Sequence, residues 1–85
     1  MNIIQRAISD IAEDRWNRGI RVTYSELREE LNSKGLRAGK NNRGLGRQIK
    51  TAYDRAIQEN NQDKANCIAN CYTKDNGEYA WEKKN

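Results

Sequence analysis

The chain has 85 residues, 35% hydrophobic and 33% charged, with a net charge of +4, two cysteines, no histidine and no proline. That length forms one domain with an economical core, and its periodic apolar residues exclude a disordered polymer. No apolar run approaches the roughly 20 residues that span a bilayer. Residues 1–10 lack the basic-then-apolar order of a secretory signal, and two cysteines without one point to a reducing, cytoplasmic setting.

Residues 2–17 predict a first helix, with Ile4, Ala7, Ile8, Ile11, Ala12 and Trp16 on one face. Gly19 suits the left-handed position after its end. Residues 20–23 alternate apolar and polar with β-branched side chains, as a short strand does. Thr23 and Glu26 have capping-box spacing, so a second helix is expected over residues 24–33. Tyr24, Leu27 and Leu31 form its inner stripe and Gly35 ends it. Residues 36–42 read as a loop, with Leu36 as an apolar peg and Asn41 or Asn42 as a cap for the next helix.

A third helix is expected over residues 43–60, since Leu45, Ile49, Ala52, Tyr53, Ala56 and Ile57 recur at helical spacing. Gly44 and Gly46 fall in its first turn, where each costs about 1 kcal/mol of propensity relative to alanine. Residues 60–64 read as a polar turn. Asp75-Asn76-Gly77 is a hairpin signal, because Asn-Gly supplies the positive φ of a type I′ turn. A two-stranded hairpin is therefore expected over residues 66–82, with Ile68, Tyr72 and Trp81 sharing one face. Ile4, Ile8, Ile11, Val22, Leu27, Leu31, Leu45, Ile49, Tyr53 and Ile57 are the expected core, closed by Trp81.

The excess charge is concentrated in one block. Residues 34–50 hold Lys34, Arg37, Lys40, Arg43, Arg47 and Lys50 with no acid, while the remaining segments are close to neutral. Arg43, Arg47 and Lys50 fall opposite the apolar face of the third helix, and Asp54 ends the basic run. A charged helix face is often only solvated, but solubility is served by mixed signs. Seventeen residues without an acid favour an anionic partner. Arg43, Arg47 and Lys50 would face base edges, where arginine pairs bidentately with guanine. Asn42 and the free N–H groups of the first turn suit a phosphate. Arg37 and Lys40 would grip the flanking backbone.

No nucleophile has a base beside it, so an enzyme is not expected, and no cofactor is expected. Cys67 and Cys71, read as strand residues, would stand about 13 Å apart, too far for a disulfide. On a helix they would lack the further ligands of a metal site. Tyr72, Tyr79 and Trp81 either stack on bases or, as preferred here, cover the core.

The order helix, strand, helix, helix, hairpin resembles a winged helix. VTYSELREEL followed by RGLGRQIKTAY resembles the second and third helices of that superfamily. The resemblance covers nearly all of residues 1–85 as one domain. It implies an α+β fold, αβααββ, of three helices and a small antiparallel sheet. It also implies duplex DNA binding, with the third helix in the major groove and the wing tip, near Lys74, on a backbone. A glycine-bearing loop over residues 35–42 departs from the pattern. Thr23 to Leu27 and Arg43 to Arg47 also resemble the DNA-binding half of alkylguanine-DNA alkyltransferases. That family's Pro-Cys-His-Arg motif is missing, so its activity is not carried over. The expected function is a small bacterial or phage transcriptional regulator; a domain this short often gains affinity by dimerising, but no spare heptad or helix advertises a homodimer. The alternative is a winged-helix protein-interaction module, such as a small inhibitor docking on a larger machine.

Overall fold

A computed structural model of the chain describes residues 2–76. Its elements are α1 (Ile3–Asn17), β1 (Val22–Thr23), α2 (Tyr24–Ser33), α3 (Leu45–Gln58), α4 (Gln62–Cys71) and β2 (Tyr72–Thr73). The architecture is small, α+β and mostly helical. Among the described residues no helix is long and apolar enough to cross a membrane.

Local signals explain the first half. The Asn2 side chain caps α1 by accepting from the Gln5 N–H at 2.8 Å. Gly19, at φ +74°, carries the chain out of the helix. The capping box that starts α2 is complete. Thr23 Oγ1 accepts from the Glu26 N–H at 3.2 Å, and Glu26 Oε1 accepts from the Thr23 N–H at 3.1 Å. Gly35, at φ +79°, follows the end of α2. Leu36 is half-buried against the core, as an apolar peg should be, and Ala38 joins it.

The second half differs from the sequence-based expectation. Residues 66–71, expected in the first strand of a hairpin, lie in α4. Asn61 caps that helix by accepting from the Lys64 N–H at 3.1 Å, and Asp63 places an acid in its first turn, where the helix dipole favours one. Ala65, Ile68, Ala69 and Tyr72 recur at i, i+3, i+4 and i+7, and all four are buried. A run this short fits both periods, and the strong turn signal after it draws the strand assignment too far back. The polar turn shrinks accordingly to Asn60 at φ +58° and the capping Asn61.

The expected αβααββ order is corrected in the same way, by the additional helix α4, and the expected antiparallel sheet is not shown among the described residues. The described order is αβαααβ, and β1 pairs with β2 in parallel, Val22 opposite Tyr72 and Thr23 opposite Thr73. A hairpin joins antiparallel strands, whereas parallel strands need a crossover, supplied here by the helices between them. The expected returning strand, with Tyr79 and Trp81, lies outside the described residues.

The core gathers where α1, α3 and α4 meet, and α2 adds Tyr24, Leu27 and Leu31 to it. Ile8, Leu27, Leu31, Ile49, Ile68 and Tyr72 are fully buried. Tyr72 reaches across to donate its hydroxyl to the Ile8 carbonyl. Ile4 and Tyr53 are half-buried rather than central. Ile57, expected inside, is 40% exposed, because it stands about 100° round the helix from the middle of the buried stripe.

Candidate nucleic-acid interface

The basic block begins on a loop and ends on a helix. Residues 34–44 connect α2 to α3. The Asn32 side chain holds the loop near its start, accepting from the Ala38 N–H at 2.9 Å and donating to the Gly39 carbonyl at 3.0 Å. Gly39 and Gly44 take φ near +80°, a region that residues with a Cβ rarely enter. Gly44 is the N-cap residue of α3, and among the described residues no side chain caps that helix. The backbone N–H groups of Gly46 and Arg47 therefore face outward without an intrahelical acceptor, beside the Arg43 and Arg47 side chains. Such a helix start is suited to an anion.

The positions of the expected site residues divide into three groups. Arg47 and Lys50 project from the first two turns of α3, exposed and opposite the buried Leu45, Ile49, Ala52 and Ala56. Lys50 lies 3.5 Å from Asp54, an exposed pair of the kind that contributes little and exchanges partners readily. Arg37, Lys40 and Arg43 are exposed on the loop. Arg43 is thus ahead of the helix and not on its face, because the left-handed Gly44 delays helical geometry until Leu45. Among the described residues, Arg37, Lys40, Arg43 and Arg47 form no ion pair, whereas Arg15, Arg18 and Lys64 each lie against a carboxylate.

Asn42 and Lys74 form the third group. Asn42, expected to cap α3 or hold a phosphate, has its amide engaged elsewhere. Its Oδ1 accepts from Arg28 Nη1 of α2, and its Nδ2 donates to Asp75 Oδ2 at 2.8 Å. Asn41 instead makes the local turn, accepting from the Arg43 N–H at 2.9 Å. Asp75 also accepts from the Ser25 N–H at 2.9 Å and the Ser25 hydroxyl at 2.6 Å. These Ser25 and Asn42 donors hold the Asp75 carboxyl below its ordinary range. The chain thereby returns Lys74, exposed and adjacent to Asp75, to the margin of the basic loop. Sequence reading missed Asp75, Ser25 and Arg28 as neighbours of the site. The only sequence signal was the hairpin-type Asp-Asn-Gly, which says nothing about what lies opposite.

Tyr72 is fully buried, which removes it from any base-stacking platform. Cys67 and Cys71 are buried free thiols one helical turn apart on α4, not strand residues. Burial pushes the Cys71 thiol up to about 11. Among the described residues no cluster of three His, Cys, Asp or Glu could hold a metal.

No protein-family model, curated protein or solved structure matches the chain.

Proposed function

We propose that the protein is a non-enzymatic duplex-DNA-binding module that sets the start of α3 in the major groove and the preceding loop along the flanking backbone. One observation carries the reading. Among the described residues, exposed cations without ion pairs run from Arg37 through Lys40 and Arg43 to Arg47, ending at a helix start whose N-cap residue is glycine. Arg47 and Lys50 are the base-facing candidates, Arg37, Lys40, Arg43 and Lys74 the phosphate-facing ones. Asp54 and Glu59 confine the contact to the first two turns. On this reading the scaffold is a winged-helix variant, with α4 inserted between the reading helix and the wing-side strand β2. A small regulator of transcription is the role such a module fits. The protein-docking alternative has less support. Among the described residues, the large apolar residues most exposed, Ile3, Ile20 and Ile57, lie on three separate parts of the chain.

Mobility-shift titration against mixed-sequence duplex at two salt concentrations tests the proposal. Four to six phosphate contacts give a log–log slope of about −4 to −5. Absence of binding at low salt defeats the reading. Arg47→Glu is expected to abolish binding while leaving the helical circular dichroism unchanged. Persistent binding would move the reader away from α3.

A further inference from the structure

Asp75 is an acid at the edge of a basic surface, and its carboxylate joins three parts of the chain. It takes the N–H and hydroxyl of Ser25, in the first turn of α2, at 2.9 and 2.6 Å. That N–H has no acceptor within its own helix, and a negative charge there is favoured by the helix dipole. Thr23 takes the next donor, from Glu26, at 3.2 Å. The start of α2 therefore has one local cap and one distant cap. The same carboxylate accepts from Asn42 Nδ2 at 2.8 Å, and Arg28 holds the other end of that amide.

The consequence falls on the loop. Between the Gly39 carbonyl and the start of α3, the Asn42 side chain attaches the loop to α2 through Arg28 and to the β2 end through Asp75. Lys40 and Arg43 flank that attachment. Their placement relative to Arg47 depends on Asn42 being held, and Asn42 is held by Asp75 and Arg28.

We infer that Asp75 and Asn42 are positioning residues for the DNA site, fastening the basic loop to the start of α2 so that Lys40 and Arg43 align with Arg47. The inference rests on the DNA-binding reading. It also has a sign that simple electrostatics does not. Removing an acid from a DNA-facing surface should tighten binding through charge alone. Loss of a positioning residue should weaken it.

The test compares the full chain with Asp75→Ala, Asn42→Ala and the double variant, titrated with mixed-sequence duplex at several salt concentrations. Asp75→Ala is expected to weaken binding about tenfold and to make the salt slope shallower by about one unit, as a phosphate contact is lost. Asn42→Ala should do the same, and the double variant should be no weaker than either single one, because both break one linkage. Binding by Asp75→Ala that equals or exceeds that of the unaltered chain overturns the inference and leaves the DNA reading standing. Weaker binding with an unchanged slope also overturns it, since general destabilisation does not alter the number of phosphates contacted. If Asp75→Ala does not fold, the Asn42→Ala slope decides by the same criteria. Absence of binding by the unaltered chain overturns the DNA reading, and the inference with it.

Discussion

Gly44 shows how one residue divides the basic block. Its φ of +79° ends the loop and delays α3 to Leu45, so Arg43 is carried by the loop and Arg47 by the helix. A Cβ added at Gly44 would meet nothing within 4 Å, so the expected penalty of substitution is backbone strain and not a clash. Gly44→Ala should destabilise the fold by about 1–2 kcal/mol, the usual difference for a side chain held in the left-handed region. Urea denaturation measures this, and an unchanged midpoint would mean that the backbone relaxes without loss. In the sequence this glycine registers only as a weak helix former, because propensity carries no information about the sign of φ. Asn42 is a second such case. Its type fits a cap, and only the approach of Arg28 and Asp75 diverts it to another task.

At the scale of elements, α1, α2 and the body of α3 were legible because their start signals and apolar periods agree. The capping box at Thr23 and Glu26 locates α2 to the residue. The helix α4 was not legible, since Ala65 to Cys71 is short, rich in small residues and followed by a strong turn signal. What makes it a helix is its packing on both α1 and α3, with Ala65 and Ile68 fully buried. Small side chains allow that close packing, and a strand over the same residues would turn alternate side chains away from it. Ile68→Ala should therefore cost about 2–5 kcal/mol, as for other fully buried aliphatic residues. Chemical denaturation gives the number. A change under about 0.5 kcal/mol, the ordinary range for surface positions, would place Ile68 at the surface and contradict the packing of α4 on α1 and α3.

At the scale of the whole molecule, the charges are segregated. Glu26, Glu29 and Glu30 line a shallow groove with Arg15, Ile20 and Val22, while Arg37, Lys40, Arg43 and Arg47 follow the loop and the start of α3. Such segregation favours oriented approach to an anionic partner. The core, by contrast, depends on groups staying neutral. Burial raises Tyr24 from 10.0 to about 12 and Cys71 from 9.0 to about 11. For an acid whose folded value is raised, the unfolded chain releases its proton first as the solution becomes alkaline. The stabilisation is therefore complete below pH 9 for Cys71 and is lost as pH rises through about 11; the Tyr24 contribution is lost in the same way from 10 through about 12. Urea midpoints should fall steadily once pH exceeds 9, and a flat profile to pH 11 would count against neutral burial of these groups.

The amino-acid sequence by itself determined that the excess positive charge is confined to residues 34–50, that the block begins after one helix and enters another, and which face of that helix is apolar. These properties come from order and period along the chain, which need no third dimension. The tertiary structure alone decided that residues 66–71 are helical, that β1 and β2 run parallel, and that the chain returns at Asp75 to hold the loop through Asn42. Ser25 and Asp75 are fifty residues apart in sequence and 2.6 Å apart in the fold. Contacts of that kind are set by the packing of α1, α3 and α4, and no local pattern encodes them.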